Sequence, residues 1–122
     1  KLCPVIAIVP YSTFEEAVTM AKANLLVEGA GHSAALHSNN DENIQRAGVE
    51  LPISRLVVNQ PSSTSAGGSL TNGFAPTTTL GCGSWGGNSI SENLDYKHLM
   101  NVSRIGKVIP DKKVPTDDEI WA

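Results

Sequence analysis

The first 59 residues alternate between short apolar runs and amphipathic stretches, and the links between them are only a few residues long. Residues 5–9 are rich in β-branched side chains, which is typical of a strand buried on both faces of a parallel sheet. Residues 33–37 and 54–59 are predicted to form two further strands. Because strands and helices joined by short links form right-handed crossovers, the sequence predicts an α/β fold with a parallel sheet.

Two helices are predicted between these strands. Residues 14–26 repeat apolar side chains every three or four positions, and Thr13 and Glu16 have the spacing of a capping box at the start of the helix. Residues 38–42 offer several N-cap side chains for a second helix, whose core face would include Ile44 and Ala47.

The composition changes after the third strand. Residues 61–79 are dominated by Ser, Thr, Gly, Asn and Pro, yet they lead directly into a segment that contains Cys82 and Trp85. We therefore expect a long ordered loop over a site, since loops of this length in compact proteins are usually functional or disordered. Farther on, residues 95–100 suggest a helical turn, and residues 101–109 alternate like a half-exposed antiparallel strand. A capped helical turn ending on an anchoring Trp121 is expected at the end.

Composition excludes several classes of function. Charged residues make up 17% of the 122 residues, against about 25% in a typical soluble domain, which suggests that much of the surface meets other protein. The net charge of −3 and the scattered basic residues argue against nucleic-acid binding. No apolar stretch is long enough to span a bilayer. Two cysteines and three widely separated histidines predict neither a disulfide scaffold nor a metal site. The chain opens on a strand-like run without Met, and we expect it to be part of a longer protein.

Three candidate motifs have a structural reading beside the functional one. Residues 81–86 match G-x-G-x-x-G, but no helix signal follows and no acid lies about 20 residues on, so a tight loop with close backbone approach is favoured over phosphate binding. Cys82 with one of the histidines would make a hydrolase site, although packing is the favoured role for both Cys82 and Cys3. By position alone, His32 at a helix-to-strand junction is a structural histidine.

Taken together, four stretches resemble the coenzyme A-acylating aldehyde dehydrogenases, and most closely the acylating succinate-semialdehyde dehydrogenases. They are residues 14–17 (FEEA), 29–34 (GAGHSA), 51–59 (LPISRLVVN) and the long motif at 79–93 (TLGCGSWGGNSISEN). The resemblance implies a three-layer parallel-sheet piece from the C-terminal part of the catalytic domain. Residues 1–122 would be one partial domain, with a substrate-side loop region at 61–93 and an oligomerisation-type antiparallel strand at 101–109.

The resemblance also implies a chemistry and a set of site residues. Family members oxidise an aldehyde through a cysteine thiohemiacetal, transfer hydride to NAD or NADP, and pass the acyl group to coenzyme A; the reaction also runs in reverse. The nucleophilic cysteine and most of the cofactor domain would lie upstream, so the chain alone is expected to be inactive. His32 matches the family's active-site histidine, which reverses its positional reading. Leu2 and Pro4 align near the nicotinamide. The glycine-rich motif would line the substrate pocket through Gly81, Cys82, Gly83, Ser84 and Trp85.

Other implications concern partners and location. The expected partners are a small aldehyde, coenzyme A and further copies of the same chain, with no nucleic acid and no membrane. The expected location is cytoplasmic, with a bacterial microcompartment as the alternative. Two other readings stay open: a non-catalytic assembly or interaction module built on the same fold piece, and the small hydrolase that uses Cys82 and His32.

Overall fold

The computed structural model describes residues 3–121. Its centre consists of helix α1 (Phe14–Val27), strand β1 (Gly31–Leu36), helix α2 (Asp41–Glu50) and strand β2 (Ile53–Val58), and β1, α2 and β2 form one crossover unit. The two strands pair in parallel, with Gly31 opposite Ile53 and Leu36 opposite Val58. The predicted α/β class and its parallel sheet are confirmed.

Short elements follow the sheet. A four-residue helix α3 (Ser62–Ser65) begins the long loop, and single 3-10 turns lie at Ser84–Gly86 and Tyr96–Leu99. A last helix, α4 (Asp117–Trp121), ends the described chain. None of the described helices is both long and apolar enough to cross a membrane.

Helix α1 begins where the sequence predicts, with a variation in its cap. The Glu16 amide donates to Thr13 Oγ1 over 3.2 Å, as a capping box requires. The Glu16 carboxylate, however, accepts from the amide of Ser12 over 2.8 Å, one residue earlier than the motif predicts. The helix ends at Val27, before Gly29 with its positive φ of 108°.

Helix α2 is capped by Asn40, whose Oδ1 accepts from the Asn43 amide over 3.2 Å. Arg46 links the two helices, because its guanidinium lies 2.5 Å from Glu50 and 3.6 Å from Glu15 on α1. The hydrogen bond to Glu50 and the charge of its carboxylate raise the pKa of Arg46 above its usual value.

The apolar core lies where α1, α2 and the sheet meet. Its buried members are Val18 on α1, Ala47 on α2, Leu51 and Ile53. Partly buried side chains surround them, namely Phe14, Ala21, Leu25, Ala34, Leu36 and Leu56. The core is small because only two strands and two helices contribute to it.

The prediction of a first strand at residues 5–9 is wrong. Residues 5–9 form no strand, and Ile6 and Ile8 are 86% and 89% exposed. A strand needs a neighbour to satisfy its backbone groups, and within the described residues β1 pairs only with β2. The sheet therefore has two strands instead of three, and Cys3 ahead of this run is exposed rather than packed.

The end of the chain differs in a similar way. Residues 101–109 are exposed along their whole length and pair with no strand among the described residues. The antiparallel strand expected there stays a prediction, since its partner would lie outside the chain. The expected terminal helix forms, but Trp121 is 83% exposed and anchors nothing in the described part of the chain.

Candidate functional site

A long loop, residues 61–93, covers the sheet, and one buried arginine fastens the loop to the strands. Arg55 in β2 is 3% exposed. Its Nε donates to Ser33 Oγ in β1 over 3.0 Å, and its Nη1 reaches the Ser91 carbonyl at 3.4 Å and Asn93 Oδ1 at 3.5 Å. Its Nη2 lies 3.5 Å from the carbonyl of Gly31. This guanidinium therefore joins both strands to the far end of the loop.

Asn93 is the buried residue that ties the loop to itself. Its Nδ2 donates to the carbonyls of Ala66 and Ala75 over 3.0 and 2.9 Å, while its Oδ1 accepts from Arg55. The side chain thus holds three segments separated by up to 38 residues. Such satisfied polar networks stiffen a loop, because each group would be costly to leave unpaired in the interior.

The glycine-rich motif lies against this network. The amides of Gly81 and Gly83 donate to the carbonyls of Glu92 and Ile90, so the chain doubles back on itself. A side chain at Gly81 would overlap those two carbonyls, which is why the close approach requires glycine there. The structure thus supports a tight packing loop here. The motif itself contains only the 3-10 turn Ser84–Gly86, and residues 87–95 form no helix, so the helix that a dinucleotide phosphate cradle requires directly after the glycines is not present there.

Cys82 and Asn88 close the motif into a small loop. The Cys82 amide donates to Asn88 Oδ1 over 2.9 Å, and Asn88 Nδ2 donates to the Gly86 carbonyl over 3.2 Å. The backbone of Cys82 also lies against Gly31, the residue before His32. The motif and the histidine therefore occupy the same end of the sheet.

His32 lies in β1 and is exposed. It borders a cavity of about 370 Å³ whose wall is rich in hydroxyl groups, from Ser33, Ser62, Ser63, Thr77 and Thr78. Hydroxyl groups both donate and accept hydrogen bonds, so this cavity offers hydrogen-bonding partners beside the His32 imidazole. We call it the His32 cavity.

The other predicted site residues that the structure describes differ in exposure and do not line the His32 cavity. Gly81 and Gly83 are buried and Cys82 is half-buried, whereas Ser84 and Trp85 are exposed. None of these five lines the His32 cavity. Pro4 is exposed, and Leu2 lies outside the described residues.

Sequence reasoning missed the residues that hold the site together. Arg55, Asn93 and Ser54 were not singled out, although an arginine inside an apolar strand was a signal, since arginine is rarely buried without a specific partner. Ser54 Oγ is buried and has no hydrogen-bond partner within the described chain. In residues 3–121, no three His, Cys, Asp or Glu side chains lie close enough together to hold a metal ion.

The amino-acid sequence of the chain is similar to the sequences of known aldehyde dehydrogenases. No protein-family model matches the chain. The chain is 67% identical over 121 residues to a succinate-semialdehyde dehydrogenase (acetylating) of Clostridium kluyveri, which covers 99% of the chain and 26% of that relative. The chain therefore spans about a quarter of the length of this relative, and 12% of the length of the bifunctional aldehyde-alcohol dehydrogenase of Escherichia coli that it also matches.

Two solved structures share the fold. A probable aldehyde dehydrogenase from Listeria monocytogenes matches with a TM-score of 0.82 and 37% identity over 98% of the chain and 25% of that protein. An acetylating aldehyde dehydrogenase from Geobacillus thermoglucosidasius matches with a TM-score of 0.72 and 32% identity over 85% of the chain and 22% of that protein. In sequence and in fold, the chain matches acylating aldehyde dehydrogenases over about a quarter of their length.

Proposed function

We propose that the chain is part of an NAD(P)-dependent enzyme that interconverts an aldehyde and its acyl-coenzyme A thioester. Succinate semialdehyde is the first candidate substrate, because the relative at 67% identity over 99% of the chain carries that name. This identity is the observation that carries the proposal. The polypeptide that contains the chain together with an upstream dehydrogenase region is called the longer polypeptide below.

The nucleophilic cysteine is proposed to lie in that upstream region. Cys3 is exposed at the start of an irregular segment. Cys82 lies in a tight loop, where its own backbone amide donates to Asn88 Oδ1. Among residues 3–121, neither cysteine lies at the N-terminus of an α-helix, a position that would favour the reactive thiolate. The hydrolase reading based on Cys82 and His32 gains no support from these contacts.

Cofactor binding is proposed to lie upstream as well. NAD or NADP, when bound, would accept the hydride from the cysteine adduct. The described glycine-rich loop does not fit the cofactor's phosphates, because the space beside Gly81 is filled by the backbone of residues 90 and 92. The proposed nicotinamide contacts, Leu2 and Pro4, stay predictions.

His32 is proposed to assist the exchange with coenzyme A. A neutral imidazole takes the proton of the coenzyme A thiol as a general base, and the thiolate then attacks the carbonyl of the cysteine thioester. The bond from that carbonyl to the enzyme sulfur breaks, and the cysteine leaves as a thiolate. The exposure of His32 and its place at the rim of the hydroxyl-lined His32 cavity support this role.

A second candidate, an assembly module, is favoured by one observation. Large apolar side chains are exposed at both ends of the chain, including Ile6, Ile8, Ile105 and Val108, each at least 86% exposed. Contiguous exposed apolar surface marks an interaction site. Within the first proposal, these residues would contact the rest of the longer polypeptide and further copies of it.

NAD(P)H formation by the isolated chain distinguishes both candidates from an enzyme that needs no upstream region. Succinate semialdehyde, coenzyme A and NAD or NADP are mixed with the purified 122-residue chain or with the longer polypeptide, and NAD(P)H absorbance is followed. We expect reduced cofactor only with the longer polypeptide. Turnover by the isolated chain above trace level would refute the upstream nucleophile, and no turnover by the longer polypeptide would refute the proposed reaction.

A further inference from the structure

Arg55 holds strand β1 on both sides of His32. Its Nε donates to Ser33 Oγ over 3.0 Å, and its Nη2 lies 3.5 Å from the carbonyl oxygen of Gly31. Gly31 precedes His32 in the chain and Ser33 follows it. Nε and Nη2 lie on one edge of the planar guanidinium, whose donors have a fixed relative geometry. One rigid edge therefore contacts both neighbours of the histidine.

The guanidinium is itself fixed by the long loop. Arg55 is 3% exposed, and its Nη1 lies 3.4 Å from the Ser91 carbonyl oxygen and 3.5 Å from Asn93 Oδ1. Asn93 is buried and donates to two backbone carbonyls of the loop. Movement of the guanidinium would break these contacts, so it holds β1 at a defined place relative to residues 61–93.

His32 depends on its neighbours for its own position. It is exposed, and its amide donates over 3.1 Å to the carbonyl of Gly29, which lies in the turn before β1 and not in β2. The start of the strand is anchored instead through Gly31, whose amide donates to the Pro52 carbonyl over 2.7 Å, and through the two contacts with Arg55. A shift of either neighbour would therefore move the imidazole.

We propose that Arg55 is a positioning residue for His32, and that its Nε–Nη2 edge sets where the imidazole lies during the exchange with coenzyme A. This inference rests on the proposed function, because it deepens the role that His32 has there. Proton transfer needs the two groups within hydrogen-bond reach, and a displacement of about 1 Å can lower a rate by about 10²-fold. Lysine keeps the positive charge but presents one ammonium instead of a two-donor edge, so Arg55→Lys tests the edge itself.

The environment of the imidazole is measured by NMR on the longer polypeptide without substrates. Histidine is isotopically labelled at Cε1, and the His32 resonance is identified by its absence in His32→Ala. We expect Arg55→Lys to shift this resonance, whereas Val18→Ala, at a buried core residue on α1, leaves it in place. Ser33→Ala removes only the Nε contact and decides the question if Arg55→Lys does not fold; a smaller shift is expected. An unchanged resonance in the folded variants would overturn the proposal whatever the activity of the enzyme.

A double-mutant cycle separates positioning from a general loss of stability. Steady-state acylation of coenzyme A with succinate semialdehyde is compared for Arg55→Lys, His32→Ala and the double variant. We expect Arg55→Lys to lower the rate about tenfold in the wild type but less than about twofold in His32→Ala, because its effect acts through the histidine. The single-turnover NADH burst should fall much less than the steady-state rate. Val18→Ala, which only weakens the core, should change the rate by the same factor in both backgrounds.

The outcomes separate this proposal from the proposed function. Equal factors for Arg55→Lys in the two backgrounds would overturn the proposal, because the arginine would then act independently of His32. A wild-type rate in Arg55→Lys, with a shifted His32 resonance, would overturn the positioning role alone. A wild-type rate in His32→Ala would refute the role of His32 in the proposed function and overturn this proposal with it.

Discussion

Gly31 lies so close to the backbone of Cys82 that a Cβ at position 31 would overlap the Cys82 carbonyl oxygen. Gly31 also has a positive φ of 82°, a conformation that favours glycine. Its amide donates to the Pro52 carbonyl over 2.7 Å, which places this contact at the first residue of the paired strands. One residue thus holds the glycine-rich loop against the sheet and sets the start of the strand that carries His32.

Replacing this glycine is expected to lower stability measurably. In Gly31→Ala, alanine would have to adopt the strained φ and its Cβ would overlap Cys82. We therefore expect the unfolding free energy to fall by about 1–3 kcal/mol. Gly87→Ala, with a φ of 68° but open space around it, should cost less, and Gly106→Ala should be nearly neutral. Chemical denaturation of the longer polypeptide measures all three. Equal losses at positions 31 and 106 would contradict the packing role of Gly31.

His32→Ala is expected to lower the steady-state rate of acylation by about 10²-fold, the low end of general acid–base effects. The single-turnover burst of NADH should fall much less, since hydride transfer needs only the cysteine adduct and the cofactor. A structural role would instead lower the melting temperature and reduce both phases together. An unchanged steady-state rate would remove His32 from the site.

Asn93→Ala is expected to loosen the long loop. The substitution leaves the carbonyls of Ala66 and Ala75 and one Arg55 donor without their partner, so the unfolding free energy should fall by about 1–3 kcal/mol. Asn101→Ala, at an exposed position, serves as the control and should change stability by less than about 0.5 kcal/mol. Protection of residues 61–93 from hydrogen exchange should drop only in Asn93→Ala, and unchanged protection would refute the bridging role.

The ion pair of Glu92 with Lys97 predicts a stability change at acidic pH. Lys97 lowers the pKa of Glu92 below its usual value of 4.5, so the folded protein holds this carboxylate charged more tightly than the unfolded chain does. The contribution is present above pH 4.5 and is lost as pH falls through the lowered folded value. The melting-temperature difference between the wild type and Glu92→Gln should therefore be largest at pH 7. It should vanish once the pH is below the lowered pKa of Glu92 in the folded protein. A difference that is constant with pH would contradict this assignment.

Association is predicted from the exposed segment 101–109. Ile105 and Val108 are 89% and 93% exposed, and an exposed segment with apolar side chains and unpaired backbone groups offers a surface to a partner. We expect light scattering to show a dimer or larger assembly of the longer polypeptide. Ile105→Lys should shift the distribution to smaller species, while Lys107→Glu, at an intervening polar position, should shift it less. A clean monomer at high concentration for the wild type would contradict the prediction.

Local patterns in the sequence determined the ordered centre of the fold. The spacing of Phe14, Val18 and Ala21 predicts a helix from the local sequence alone. Thr13 and Asn40 cap their helices by accepting hydrogen bonds from amides only three positions away. The parallel pairing of β1 with β2 followed from the short helical link between them. Such short-range interactions can be read from the chain because both partners lie in one stretch of sequence.

Tertiary structure alone decided the rest. Whether residues 5–9 act as a strand depends on a neighbour that is not adjacent in sequence, and the described chain provides none. The contact of Gly31 with Cys82 and the bridge from Arg55 to Asn93 join residues 51 and 38 positions apart, so no local pattern encodes them. Burial gave Arg55 and Ser54 their unusual character, because a charge or hydroxyl needs a specific partner only once water has been excluded.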